Sequence, residues 1–407
     1  MTSGVPPGRR TIVAVLIAVA AVGLIAGYAL KAPCRDGRWT GQQYSRLCYS
    51  DIVPLYGARG LATGGFPYLT ADLEYPAGTG LYVGVVAKST STLPGFFNAN
   101  AVGLGLIGLG VAAALGAMAL DPRRVLLYAL GPALVLYAFH NWDLLAVGLA
   151  TLALYAFWRG LDPWAGFLLG LGAATKLYPA FLLPVLVLAA WRRDGRPPWS
   201  MAGTFALGFG VLNVPLMIAN YDGWYHPWQF QSERGPNFET SWFFIQRHFR
   251  TGSRLWGTGY PTFVNTLSVA LFIVGSGALM GREARRERIR PHVLGFGILV
   301  IFLLTAKVYS PQYALWLLPF FALLAMPWWS YVAFAVTDAA VWVAVSAYFL
   351  ALQYGRGDPV FRLGLVEYAV WARYAALILL LILSRRAEER VAEPGGAVSA
   401  APVPLNA

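Results

Sequence analysis

Charged residues are scarce in this chain. Asp, Glu, Lys and Arg make up 12% of its 407 residues while 57% are hydrophobic, about half the charge of an ordinary soluble domain. That balance excludes a water-soluble globular architecture. Histidine occurs four times and cysteine twice, and neither falls into a metal-ligand spacing, so no metal centre is read from them. A phosphate-binding P-loop, a serine nucleophile elbow and an internal repeat are also missing. Their absence removes an ATP-driven engine and the usual signs of a repeat-built transporter. No cofactor is implied.

Acid is scarcer than base, with 19 Asp and Glu against 31 Lys and Arg, for a net charge of +12. In a soluble protein that excess would point toward nucleic acid. Here the basic residues fall in short clusters between apolar runs: Arg9-Arg10, Arg123-Arg124, Arg159, Arg192-Arg193 with Arg196, the stretch 282–290, and Arg385-Arg386 with Arg390. This is the pattern of the positive-inside rule, so the charge is read as topology and no nucleic-acid partner is expected.

What the chain has in plenty is long apolar runs, among them 11–30, 96–120, 293–305 and 371–383. Lipid satisfies no backbone polar group, so such runs must be helices. The predicted fold is an all-α polytopic membrane protein of about 12 transmembrane helices. They fall at 11–30, 96–120, 124–139, 144–158, 163–176, 178–191, 199–219, 262–280, 293–307, 312–326, 330–350 and 367–384. With the basic clusters inside, residues 1–10 form a cytoplasmic N-terminus, 11–385 the transmembrane domain, and 386–407 a disordered cytoplasmic tail. The first span is read as a retained anchor, not a removable signal peptide. Two long outer loops result, 31–95 and 220–261, and the turn signals of the first predict short surface helices. The spans before His140 and Lys176 are shorter than the roughly 20 residues a bilayer needs. They are expected to stop partway, around a cavity.

Asp51 leads the candidate site residues, in Cys48-Tyr-Ser-Asp-Ile-Val-Pro-Leu-Tyr56. A carboxylate at the outer surface can take the proton of an attacking hydroxyl; the competing reading is a solvated acid paired with Arg46 or Arg59. Cys34 and Cys48 lie just ahead of it, and in an extracytoplasmic loop they can form a disulfide that braces the segment, worth about 3 kcal/mol in the chain-entropy model. Asp72-Leu-Glu74, followed by Tyr75-Pro76, is a second acidic site, with a spacing too common by chance to stand for a cation site. His140-Asn141-Trp142-Asp143 puts polar groups where they are costly; they suit sugar hydroxyls, or Asp143 caps a helix.

Two outer turns carry isolated lysines, Lys176 in Thr175-Lys-Leu-Tyr-Pro179 and Lys307 in Lys307-Val-Tyr-Ser-Pro-Gln-Tyr313. Positive charge on that face runs against the topology rule, so a counter-charge is expected: a bound lipid phosphate, or headgroups reached by snorkelling. Tyr309, Gln312 and Tyr313 add hydrogen-bonding groups around Lys307, and Arg247 with His248 in the second loop offers further phosphate partners. Tyr56, Tyr75, Tyr178 and Tyr313 are candidate sugar or acceptor contacts together with Glu74, His140, Asn141 and Asp143. Asp338, in the middle of the eleventh span, is an intramembrane acid left outside this set.

Three segments then resemble one family. Ser50-Asp-Ile-Val-Pro-Leu-Tyr56, with Gly64-Gly-Phe-Pro-Tyr68 and Glu74-Tyr-Pro76, is similar to the first outer loop of the actinobacterial polyprenol-phosphate-mannose-dependent mannosyltransferases of glycosyltransferase family 87. Gly172-Ala-Ala-Thr-Lys-Leu-Tyr-Pro179 and Lys307-Val-Tyr-Ser-Pro-Gln-Tyr-Ala-Leu-Trp-Leu-Leu-Pro319 resemble two later signatures, in order. The resemblance implies a GT-C-type bundle in the cell membrane and an inverting glycosyltransferase of the outer face. Its donor would be a polyprenyl-phosphate sugar, mannose first, its acceptor a cell-envelope glycolipid or polysaccharide, and Asp51 its base, with no metal needed. A polyprenyl-phosphate arabinofuranosyltransferase, or a lipid-linked sugar flippase or transporter working through Asp338, is the alternative.

Overall fold

The computed structural model describes residues 7–249 and 260–394. The first residues of the N-terminus, part of the second outer loop and most of the expected tail therefore lie outside the described residues. Among the described residues the chain is helical, with isolated bridges in place of strands.

The first apolar run forms α1 (Pro7–Lys31), and the loop after it carries the expected surface helices, α2 (Gln42–Ser45), α3 (Ile52–Ala58) and α4 (Ala77–Lys88). Cys34 and Cys48 are joined by a disulfide across this loop. Thr92 starts α5 (Leu93–Met118) by accepting the Gly95 N–H at 3.2 Å, an N-cap that satisfies one of the helix's open donors. The segment predicted as a span at 124–139 is broken into α6 (Leu126–Ala129) and α7 (Pro132–Tyr137). Pro132 is the cause, since it cannot continue a preceding helix but fits the first turn of a new one. Then come α8 (Asp143–Trp158), α9 (Asp162–Thr175), α10 (Leu183–Asp194) and α11 (Trp199–Ala219).

The second outer loop contributes α12 (Tyr221–Glu233), capped by Asn220, and α13 (Ser241–His248). Beyond it stand α14 (Tyr260–Glu283), α15 (Pro291–Thr305), the short α16 (Leu318–Leu323), α17 (Trp328–Tyr354) and α18 (Pro359–Ser384). Six of these helices, α1, α5, α11, α14, α17 and α18, are long and apolar enough to cross a bilayer, while α8 and α15 are shorter apolar helices. Each of the twelve expected segments falls on a helix or a broken helix, and the protein is a multi-pass membrane bundle.

The tightest helix pair is α9 on α11, and Gly166-Phe-Leu-Leu-Gly170 explains it. A Cβ on either glycine would stand 2.1 Å from a backbone oxygen of α11, that of Met201 or Phe205. Small residues four apart let two backbones meet where lipid offers no hydrophobic drive between helices. The main core runs through the bundle and contains fully buried Phe96, Leu104, Tyr128, Leu144, Leu299 and Phe321.

The basic clusters gather at one end. Arg9 donates to the Ala119 carbonyl, Arg124 to those of Phe321 (3.3 Å) and Met326 (2.8 Å), Arg192 to that of Ala284, and Arg290 to that of Ala387 (2.9 Å). The opposite ends of α1 and α15 lead to Lys31 and Lys307, beside the cavity described next. The start of the tail, expected to be disordered from 386, is held at the basic end. Arg390 N–H donates to Leu323 O (2.7 Å), Ala392 N–H to Met118 O (2.8 Å), and the carboxylate of Glu389 takes both the backbone N–H (2.6 Å) and Nδ1 (3.1 Å) of His292. Composition hid this, because the pairing is with backbone groups left open at distant helix ends.

Candidate active site

Between the loops 31–95 and 220–261 the bundle holds a cavity of about 1240 Å³. Asp51 stands in its wall, and its place is fixed by backbone. Its own N–H donates to the His140 carbonyl at 2.8 Å, and the Ser50 hydroxyl donates to the carbonyls of Phe139 (2.7 Å) and His140 (3.0 Å). Buried Lys31, at the end of α1, donates to the carbonyls of Leu47 (3.1 Å) and Tyr49 (2.8 Å). The segment that carries Asp51 is therefore tied on one side to α1, by Lys31 and the disulfide, and on the other to the 138–142 turn. The Asp51 side chain keeps 26% of its surface open, and it opens onto the cavity.

Burial pushes the Asp51 carboxyl up to about 6. A hydrogen bond from Tyr49 and the positive charge of Lys176 pull the other way, while Glu74 and Asp143 add to the rise. The Tyr75 hydroxyl stands 3.4 Å from Oδ2 and His140 Nε2 stands 3.8 Å from it. A carboxyl near neutrality, faced by side chains that can hand on a proton, has the character of a general base.

A second carboxyl faces the same cavity. Glu239, in the connection from α12 to α13, is buried and accepts the Asn237 side-chain N–H at 2.6 Å. Burial lifts it to about 8 against the pull of Arg373. Asn237 also joins the outer loop to the turn after α15: its N–H donates to Lys307 O (3.1 Å) and its Oδ1 accepts the Tyr309 N–H (3.3 Å). Lys307 Nζ donates to the carbonyls of Ser232 (3.3 Å) and Arg234 (2.7 Å), which leaves one of its three ammonium hydrogens for a ligand. Arg234 lines the cavity too, over the Phe230 ring at 5.6 Å. Away from these cations the wall is apolar where α14 meets α15, lined by Val269, Phe272, Ile273 and Phe302, with Phe272 and Phe302 against Phe181.

The cavity brings together Asp51, Glu74, Tyr75, His140, Lys176, Tyr178, Lys307, Gln312 and Tyr313 from the sequence-level set. Several of these are already engaged. Glu74 forms a two-pronged ion pair with Arg59 (2.9 and 3.1 Å). The Lys176 ammonium pairs with buried Asp143 at 2.8 Å, so the counter-charge sought for this turn is in the protein itself. Asn141 Oδ1 accepts the Asp143 N–H at 3.0 Å at the start of α8, which makes Asn141 the group that opens that helix.

Other members of the set lie apart. Tyr56 stacks on Phe96 at 4.6 Å within the core. Tyr309 is buried behind the wall, its ring 3.7 Å from the guanidinium carbon of Arg373. Arg247 and His248 are exposed on α13, where His248 meets Glu367 of α18 at 2.6 Å. Arg234, Asn237, Glu239 and Trp342, which do line the cavity, went unselected. Nothing in local spacing separated Arg234 and Glu239 from Arg247 and His248 in the same loop. Arg373 carried the one available signal, a cation in an apolar span beside another span holding an acid.

A model of glycosyltransferase family 87 matches residues 75–306. The match takes in Tyr75, His140, Lys176, Arg234 and Glu239; Asp51 precedes it and Lys307 is the next residue after it. No curated protein matches the chain. Among solved structures it is similar to ArnT from Cupriavidus metallidurans bound to undecaprenyl phosphate, at 18% identity and a TM-score of 0.38, over 91% of this chain and 76% of that one.

Proposed function

This chain belongs to glycosyltransferase family 87, and from that membership we propose that it moves a sugar, mannose, from a polyprenyl-phosphate donor to a cell-envelope glycan or glycolipid, with inversion, at the outer face of the membrane. The observation that carries the reading is Asp51: a carboxyl raised to about 6, held by backbone in the wall of a cavity that also presents Lys307, Arg234 and an apolar lining.

The donor's tail lies against the apolar wall of α14 and α15, and its phosphate meets Lys307 and Arg234. Asp51 removes the proton of the acceptor hydroxyl as that oxygen attacks the anomeric carbon. The bond from the anomeric carbon to the phosphate oxygen breaks, and the polyprenyl phosphate leaves with its charge balanced by the two cations. The proton passes from Asp51 to water. The outer-face assignment rests on the basic clusters, which gather at the far ends of α1 and α15 from this cavity.

The test uses purified enzyme with labelled polyprenyl-phosphate mannose and, in parallel, the polyprenyl-phosphate arabinofuranose donor, each with an envelope acceptor extract. Transfer from the mannose donor by the wild type, slowed by about a hundredfold or more in Asp51→Asn, is expected. Transfer from the pentose donor alone would replace the sugar assignment, and no sugar loss from either donor would remove the donor class.

A further inference from the structure

The cavity extends past Asp51 to α17, away from the apolar wall. Trp342, Ser346, Phe349 and Gln353 of α17 all line it, at spacings of four, three and four residues. They form one helical face, a stripe about 16 Å long at 1.5 Å per residue. Tyr44 and Tyr49 of the first loop complete the wall. Tyr44 stacks on Phe349 at 5.3 Å and on Tyr49 at 5.8 Å, and Tyr49 stands 6.5 Å from Trp342.

Polar groups without partners are set into this aromatic wall. Trp342 Nε1 and Ser346 Oγ are buried, and neither has a hydrogen-bond partner among the described residues. Gln353 Oε1 takes the Tyr44 hydroxyl at 3.2 Å, and the amide nitrogen remains at the exposed mouth of the stripe. A buried N–H or O–H left unpaired is costly, and a ligand that supplies hydroxyls would pair both. An acyl or polyprenyl chain would leave these groups unpaired. A sugar offers both hydroxyls for the polar atoms and a C–H face for the rings. The stripe also adjoins the proposed base: the His140 ring lies 4.9 Å from Trp342, and its Nε2 lies 3.8 Å from Asp51 Oδ2.

We infer that the α17 stripe, with Tyr44 and Tyr49, is the subsite that binds the acceptor, and that the acceptor is recognised there as a glycan through ring stacking and hydrogen bonds to Trp342 and Ser346. The inference rests on the glycosyltransferase reading for its role in the reaction, but the binding itself can be measured without turnover.

The experiment is equilibrium binding of labelled mannotriose and, separately, labelled arabinofuranose trisaccharide to the full-length protein in detergent, in an Asp51→Asn background so that no transfer occurs. The Trp342→Phe/Ser346→Ala pair is compared with its parent and with Ser346→Ala alone; Ser346→Ala removes only a hydroxyl, while Trp342→Phe removes the indole N–H together with the ring that carries it. A tenfold or greater loss of trisaccharide affinity, with retention of labelled polyprenyl-phosphate mannose unchanged, is expected. Failure of both trisaccharides to bind the parent, or equal binding by the double variant, would overturn the subsite. Absence of donor retention by the parent, with trisaccharide binding lost in the double variant, would count against the donor assignment and leave the subsite standing.

Discussion

Replacing Asp51 by Asn gives the sharpest test of the chemistry, because it removes the ability to accept a proton and almost nothing else. The contacts that hold residue 51 come from its backbone N–H and from Ser50, and both survive the change. A positioned general base contributes about 10²–10⁴ in rate, or about 3–5 kcal/mol of barrier, so kcat should fall by that factor while donor KM moves little. The pH dependence adds a second reading. Because burial raises the Asp51 carboxyl from 3.8 to about 6, wild-type kcat/KM should be at half its plateau near pH 6, level off about a unit above that, and fall toward tenfold per unit below it, as protonation removes the base. Asp51→Asn should show neither the rate nor that acid limb. Stability carries the opposite sign. A carboxyl harder to ionise in the folded chain than in the unfolded one loses stability as pH rises from about 4 to about 6, and the neutral amide escapes that loss. The variant's Tm at pH 7 should therefore equal or exceed the wild type's. Initial rates of label transfer from pH 5 to 8, with thermal unfolding in the same detergent, measure both. Wild-type activity in Asp51→Asn, or an acid limb that persists in it, would refute the assignment of the base.

Lys307→Ala should raise donor KM by about 10- to 100-fold, as expected for a charged hydrogen bond worth about 1.5–3 kcal/mol, with partial recovery in Lys307→Arg; an unchanged donor KM would place the phosphate elsewhere. Arg373→Met should strip buried Asp338 of its cation and lower stability by about 3–5 kcal/mol, read as a fall in Tm. Arg373→Met combined with Asp338→Leu should recover much of that loss, and equal destabilisation by single and double variants would mean that the pair is not the source. Cys34→Ser/Cys48→Ser should lose about 3 kcal/mol and reduce kcat as the Asp51 segment loosens, measured against a sample treated with reductant.

The helical membrane architecture was legible because lipid leaves the backbone one solution, and every run long enough to use it became a helix. Asp51 was picked out because its neighbours Ser50 and Tyr56 belong to a recognisable segment, and it does line the cavity. The roles of those neighbours were not legible: Ser50 straps the segment to the 138–142 turn, and Tyr56 packs into the core. The choice within the second outer loop failed for a physical reason. Arg234 and Glu239 face the cavity while Arg247 and His248 face outward, and what separates them is the contact of Asn237 with the turn after α15, some 70 residues later in the chain. No local period encodes such a contact. The Lys176 turn was read correctly as needing a counter-charge, but the carboxylate that provides it, Asp143, was set aside for sugar binding.

Asp338 illustrates the same point at greater depth. An acid in the middle of a span invites a transport path, yet Asp338 lies outside the cavity lining and receives Arg373 Nη1 at 3.2 Å. The same guanidinium donates through Nη2 to the Glu239 carbonyl at 2.6 Å and covers the ring of Tyr309. One buried cation thus binds α17, α18, the second outer loop and the turn after α15. Trp242 adds a second stake by donating to the Thr305 carbonyl at 2.9 Å. An outer loop would otherwise be among the most mobile parts of the molecule, and Glu239, Arg234 and the Lys307 turn could hold no fixed geometry on it. The ion pair carries a desolvation cost, but it puts the loop's cavity-facing groups in register with Asp51, which a separate set of bonds holds from the other side. Asp338 acts in this arrangement as the counter-ion of a structural arginine, and the carboxylate that a transport path would need is already in use.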